Sequence, residues 1–276
     1  MTISIDLHAH TRCSDGDLSP AELVLRAKQQ NLQVLAVTDH DTTEGIAAAS
    51  KAADENEIKL VAGVEISVTW ENKTFHIVGL NIDPENKQLA HGLTGLRVKR
   101  DQRAIEIAEK LAKKNVENAL QGTQALAKGS IVSRTHFAQF LVNNGYSKNL
   151  QQAFKRYLGD GKPGFAKARW ASLEQAVSWI HGAGGLAVIA HPGRYKIGRA
   201  RMHGLLSHFK ECGGDAIEVI SGSQSPDVTP HFARLATEYD LLASIGSDFH
   251  SPSQRWLELG RLPALPDNCK PVWDCW

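Results

Sequence analysis

Residues 3–40, ISIDLHAHTRCSDGDLSPAELVLRAKQQNLQVLAVTDH, decide the fold. The stretch opens on ISIDL, a short strand, and closes on VLAVTDH, an apolar run of the buried-strand type. Between them SPAELVLRAKQQ carries a helix start, with Ser19 as N-cap, Pro20 at the first helical position and Glu22 completing a capping box. The rhythm continues through TTEGIAAASKAADEN as a helix and KLVAGVEISV and FHIVGLNI as strands. Strands alternating with helices imply a parallel sheet wrapped by helices.

From about residue 94 to 158 the strand signal disappears. LRVKRDQRAIEIAEKLAKK, ENALQGTQALAKG, SRTHFAQFLVNNG and NLQQAFKRYLGDG read as consecutive helices broken by Gly and Asn. The α/β rhythm returns at Ser172 with SLEQAVSWIHGAGG, followed by the strands LAVIAHP, AIEVIS and LLASIGSDFH. The expected organisation is therefore residues 1–91 and 171–276 as two parts of one barrel, with residues 92–170 as a helical insertion. Charge segregates along the same division. The formal net charge is +1, yet residues 92–170 hold fifteen Lys/Arg against five Asp/Glu. A basic segment in an otherwise acidic chain points to a phosphate-bearing partner, although solvated helix faces would look the same.

Of the 276 residues 42% are apolar, enough for a sizeable core. No apolar run approaches the ~18 residues of a membrane span. The chain opens without the basic-then-apolar pattern of an export signal. The four cysteines form no CxxC pair and are expected to be reduced. These features set the expectation of a cytoplasmic protein.

Residues with metal-ligand chemistry fall along the expected strands: His8 and His10 close the first and Asp39, His40 and Asp41 the second, Glu65 lies within the third and His76 within the fourth, and His191, Asp248 and His250 close later ones. In a (β/α) barrel the C-terminal strand ends converge on one rim. Side chains two apart on a strand share a face, so His8/His10 and Asp248/His250 each form a pincer. With Asp15 of the SDG loop, six imidazoles and three carboxylates would crowd together, and buried groups of that kind need partners. Divalent cations are the natural ones, and mixed N/O ligation suits Zn²⁺, Mn²⁺ or Fe²⁺ better than Ca²⁺ or Mg²⁺. Nine ligands exceed the needs of one ion; bridging carboxylates allow two or three. Three such ions would leave about +3 of formal charge, an anion site.

HAHTRCSDG, VTDHDT, GVEIS, FHIVGLNI, AHPGR and GSDFH, in that order, resemble the motifs of the polymerase and histidinol phosphatase (PHP) superfamily. The basic helical segment is similar to the insertion of its nucleoside 3′,5′-bisphosphate phosphatase and ribonuclease AM subgroup. The resemblance implies an α/β fold, a distorted (β/α)7 TIM-like barrel, and a metal-dependent phosphoesterase. The implied site holds three divalent ions, Mn²⁺ first, with Zn²⁺ or Fe²⁺ as alternatives. Glu65 would bridge two ions among His8, His10, His76, His191 and Asp248; Asp15, His40 and His250 would hold the third. The implied reactions are 5′ to 3′ exoribonuclease cleavage of 5′-phosphorylated oligoribonucleotides or RNA 5′ ends, and 3′-dephosphorylation of nucleoside 3′,5′-bisphosphates such as pAp. No membrane and no obligate protein partner is expected.

Such a site uses metal-activated water and needs no serine nucleophile; the chain has no GxSxG elbow and no P-loop. Arg194, three residues after His191, is expected to touch a phosphate. Ser133, Arg134 and His136 open a helix whose N-terminus could gather an anion, or Ser133 could be only the cap and His136 a surface residue. Lys99, Arg100 and Arg103 are expected to form a general electrostatic funnel or a solvated face. Asp39 or Asp41 could orient an imidazole or assist proton transfer. The readings set against this one are a phosphatase for a small metabolite such as histidinol phosphate, which needs no extended cationic surface, and a non-catalytic metal- or nucleic-acid-binding module, which would not need every ligand.

Overall fold

A computed structural model describes residues 4–222, 224–254 and 256–276; Ile3 of the expected first strand lies outside them. Seven strands form one sheet in the sequence order β1 to β7. They are β1 (Ile5–Asp6), β2 (Val34–Val37), β3 (Lys59–Trp70), β4 (Lys73–Leu80), β5 (Leu186–Ile189), β6 (Ala216–Ser221) and β7 (Leu242–Gly246). The sheet curls until its edges meet. Leu7 N–H donates to Ile245 O at 3.1 Å, Asp248 N–H donates to His8 O at 2.8 Å, and Ala9 bridges Phe249. At this closure Gly246 lies against His8, where a Cβ would come within 2.2 Å of the His8 Cβ.

The barrel form agrees with the sequence-based expectation, but the all-parallel sheet does not. β4 runs antiparallel to both β3 and β5. The cause is local: Glu71 and Asn72 have φ of 43° and 63°, the left-handed pair of a two-residue hairpin turn, so the chain doubles back without a crossover helix. The reversal carries the beginning of β4, not its end, to the rim where β3 presents Glu65.

Helices α1 (Pro20–Gln29) and α2 (Ile46–Asn56) cover the first strands, and α1 has the expected Ser19/Glu22 capping box. Next come α3 (Lys87–Ala112), α4 (Ala119–Leu126), α5 (Arg134–Asn143) and the short α6 (Leu150–Ala153), which runs into a π-helical turn. The outer wall is completed by α7 (Leu173–Gly182), α8 (Arg199–Glu211) and α9 (Thr229–Glu238). Among the described residues no helix is long and apolar enough to cross a membrane.

Helix α3 serves two cores. Its first half sends Leu89, Leu93 and Leu96 into the barrel core; its second half gives Ala104, Ile107 and Leu111 to a separate cluster with Phe137, Phe140, Leu141 and Leu158. Between the halves sits Arg100, which the structure removes from the expected funnel or solvated face. It is 6% exposed, donates from Nε to Asp41 at 2.6 Å and from Nη2 to the Ser67 hydroxyl at 2.8 Å, and lies over the Trp170 ring. Asp41 also accepts from Ser67 N–H at 2.8 Å. A buried charge needs such a full set of partners, and this one ties α3 to the loop that carries His40.

Candidate metal centre

The structure brings all nine candidate ligands to one end of the barrel, with Glu65 at their centre. Glu65 Oε1 lies 2.8 Å from His76 Nδ1, 2.9 Å from His191 Nε2 and 3.5 Å from His8 Nε2. Its Oε2 lies 2.7 Å from His40 Nδ1 and 3.4 Å from His10 Nε2. Asp248 Oδ1 stands 3.3 Å from His10 Nε2 and 3.7 Å from His8 Nε2. Asp15 Oδ1 faces His250 Nε2 at 3.4 Å and His40 Nε2 at 3.8 Å. The ligand atoms of His10, Asp15, His40 and His250 form one compact group; those of His8, His10 and Glu65, and of His40, Glu65 and His76, form two more.

These atoms satisfy one another only in part, through His191 Nε2 with Glu65 Oε1 at 2.9 Å and His8 Nε2 with His10 Nε2 at 3.1 Å. Ten buried side-chain N or O atoms lack a hydrogen-bond partner among the described residues, and half belong to this set: Asp15 Oδ1, His40 Nδ1, Glu65 Oε2, His76 Nδ1 and His191 Nδ1. His40 Nδ1 and Glu65 Oε2 are 2.7 Å apart yet misaligned for a hydrogen bond. All but His191 Nδ1, whose ring meets Glu65 through Nε2, face another ligand atom, and close, buried, unpaired atoms of that kind are costly in a protein alone and are what divalent cations require.

The electrostatics agree. Burial would raise the Glu65 carboxyl, but His76, His40 and His8 outweigh it and hold it well below the usual range. Burial likewise opposes ionisation of Asp248 and Asp15; Arg194 and His250 depress the first, His40 and His250 the second. Burial and its imidazole neighbours push His10 down to about 3, and burial takes His76 to about 4. His250, despite burial, is lifted to about 9 by Asp15 and Asp248. The ionised carboxylates and the neutral His10 and His76 are in the ligating state, whereas His250, together with His8 and His40, which neighbouring carboxylates raise despite burial, takes a cation by giving up its proton.

Several supporting residues escaped the sequence reading. Glu218, 1% exposed in β6, accepts from His8 Nδ1–H at 2.6 Å and from the His191 amide, leaving His8 Nε2 free to face the centre. Its signal was a lone carboxylate within the apolar AIEVIS. Thr135 donates to Asp15 Oδ2 at 3.0 Å, and Tyr195 OH accepts from His76 N–H at 2.9 Å. Asp41, His191 and Asp248 all have positive φ, a rim geometry with no signature in their residue types.

Asp39 does not face the centre. Its carboxylate accepts from Thr11 N–H at 2.8 Å, Thr11 O–H at 2.6 Å and Ser14 O–H at 2.6 Å, so it shapes the loop between His10 and Asp15. Proton transfer by Asp39 is thus unsupported, and Asp41, bound to Arg100, is no better placed. Ser133 and Arg134 line the cavity of about 170 Å³ above the ligands, as do Arg103 and Arg194. Arg194 also pairs with Asp248. His136 is absent from that lining. Its Nδ1 accepts from Ser133 N–H at 3.2 Å in a capping box, and its ring borders a different cavity. A further cluster, Glu174, His208 and Cys212, lies outside the barrel mouth. There His208 Nδ1 accepts from Trp70 Nε1–H, so its Nε2 carries the proton that meets Glu174 and offers no lone pair.

A closed α/β barrel with this rim is a scaffold built to hold divalent cations. The chain belongs to the PHP domain family, whose model matches residues 6–164. It is 47% identical over 274 residues to a 5′-3′ exoribonuclease of Haemophilus influenzae, covering 99% of both chains. It is 45% identical over 271 residues to the 3′,5′-nucleoside bisphosphate phosphatase of Chromobacterium violaceum, covering 98% of this chain and 95% of that one. A solved structure from C. violaceum, described as an amidohydrolase with bound sulfate and no metal, superposes with a TM-score of 0.95 at 45% identity, covering 98% of this chain and 95% of that one.

Proposed function

We propose that the chain is a metal-dependent phosphoesterase that acts on nucleotide phosphate esters, as a 5′ to 3′ exoribonuclease on 5′-phosphorylated short RNA and a 3′-phosphatase on nucleoside 3′,5′-bisphosphates. The observation that carries this reading is the convergence of nine ligand side chains, Glu65 at their centre, with four of the facing atoms left unpaired. The residues fit three divalent ions, Mn²⁺ in the first instance: His8, His10, Glu65, His76, His191 and Asp248 for two, and Asp15, His40 and His250 for the third. Bound there, such ions supply water acidified toward neutral pH and charge neutralisation at the phosphoryl oxygens.

The protein's own groups do the rest. Arg103, Arg134 and Arg194 ring the cavity above the ligands and hold phosphate oxygens by charge-assisted hydrogen bonds. Ser133 stabilises the α5 start that presents Arg134. Glu218 fixes the His8 ring, and Asp39 fixes the loop that delivers Asp15. Both reactions have one chemistry. A water oxygen bonds to phosphorus, the P–O3′ bond breaks and the 3′ oxygen takes a proton; the phosphoryl group leaves free from pAp and at the head of the shortened chain from RNA. Residues 92–170 are the substrate-facing subdomain in this reading, and the protein works in the cytoplasm.

The test incubates Mn²⁺-loaded protein with a 5′-phosphorylated oligoribonucleotide, its 5′-hydroxyl counterpart, pAp and histidinol phosphate. Turnover of pAp and of the 5′-phosphorylated oligomer is expected. Phosphate release from histidinol phosphate alone would sink the nucleotide reading. Asp248→Asn should lose both metal and turnover; unchanged metal content and rate would refute its assignment.

A further inference from the structure

The ligand cavity opens in two directions. On one side it continues, through Thr74, Arg103, Arg134, Trp170 and Arg194, into a groove of about 510 Å³. On the other it shares Asp15, Thr135 and His250 with a separate cavity of about 250 Å³. The two differ in chemistry. The larger groove joins the arginine trio to the half-buried ring of Phe165, surfaces suited to a terminal phosphate dianion and a base. The smaller one is of mixed charge, with Arg12, Lys128 and Gln139 set against Asp15 and Asp17, and Leu126 and Leu150 give it an apolar wall. Each is bordered by an arginine whose buried Nε has no hydrogen-bond partner, Arg103 in the larger and Arg12 in the smaller.

We infer that an RNA chain passes through the centre, with the nucleotide to be released in the larger groove and the nucleotide retained by the shortened chain in the smaller cavity. The inference rests on the nucleotide reading above. The scissile P–O3′ bond divides the substrate into these two parts. pAp has only the first part, since a phosphoryl oxygen ends it where RNA continues. The smaller cavity is thus the element that separates polynucleotide from mononucleotide substrates, and Lys128 and Gln139 determine that specificity. Lys128 and Arg12, offset by Asp15 and Asp17, suit an internucleotide linkage of one negative charge, whereas three arginines suit a terminal dianion.

The experiment compares kcat/KM of the Mn²⁺-loaded full chain on a 5′-phosphorylated tetraribonucleotide and on pAp. Gln139→Trp fills the smaller cavity and Lys128→Glu reverses its exposed charge. Each should lower oligonucleotide cleavage about tenfold, the effect of losing one seated base or one phosphate contact. Hydrolysis of pAp should stay within about twofold, which also reports an intact fold. Phe165→Ala in the larger groove should lower both. A second readout needs no metal: in chelator, anisotropy of a 3′-labelled 5′-phosphorylated oligoribonucleotide should show weaker binding by Lys128→Glu and a salt slope shallower by roughly one. Parallel loss on both substrates, or no loss on either, overturns the threaded path. A wild-type enzyme that hydrolyses pAp but leaves the oligonucleotide intact overturns the path and the exonuclease reading together.

Discussion

Glu218→Gln keeps the size of a buried side chain and changes only what it can accept. In the wild type both partners are donors: the His8 Nδ1–H at 2.6 Å from Oε1, and the His191 amide against Oε2. A glutamine has one carbonyl oxygen, so its amide must turn N–H toward one of these donors. Leaving a buried donor unsatisfied costs about 1–3 kcal/mol. At about 1.4 kcal/mol per decade, that corresponds to roughly 5- to 150-fold. The deficit falls on the metal-facing state, because His8 presents its Nε2 lone pair only while Nδ1–H is held. Loss of an outer hydrogen bond of this kind ordinarily weakens metal affinity about 10- to 100-fold, in the same range. The assay is chelator competition for Mn²⁺, with circular dichroism to confirm the fold. Affinity within about twofold of wild type, in a folded variant, would refute the role given to Glu218.

Breaking the Arg100–Asp41 pair with Arg100→Met should destabilise the protein by about 3–5 kcal/mol, because Asp41 stays buried without its cation; urea denaturation measures this, and a loss below about 1 kcal/mol would show that the pair is not the anchor described. Mn²⁺ at about 100 times its Kd should stabilise the protein by roughly 2.7 kcal/mol for each site filled, raising the melting temperature, and chelator should reverse the shift. Scanning fluorimetry with and without Mn²⁺ follows both directions, and an Mn²⁺-insensitive melt would contradict a cation centre.

What could be read in the sequence was what repeats locally. Strand runs, helix caps and the positions of His8, His10, His40 and Asp248 near strand ends are short-range patterns, and the barrel gathers them, with Glu65 from the middle of β3, as its rhythm implies. The reversal of β4 was less visible because FHIVGLNI looks the same in either direction; only the pair Glu71–Asn72 hinted at a hairpin. Arg100 was misplaced because it sits beside Lys99 in a basic run, and nothing in that run records that Asp41 waits opposite. Glu218 was available in principle, since a carboxylate in a buried strand demands a partner. Its partner, His8, is 210 positions away. Asp39 misled through adjacency: a neighbour of His40 in sequence points to the other side of the backbone.

The double allegiance of α3 bears on how this architecture can be altered. At 26 residues the helix is about 39 Å of rigid rod. The seam between its two cores falls mid-rod, next to Arg100, rather than in a loop. A graft of another helical segment, or an excision of this one, would have to cut through continuous helix and would release the arginine that steadies the Asp41 turn. Loop-based transplantation therefore offers no clean joint on that side. Changes of substrate preference are more readily made by single residues along the two cavities than by exchanging the segment as a block.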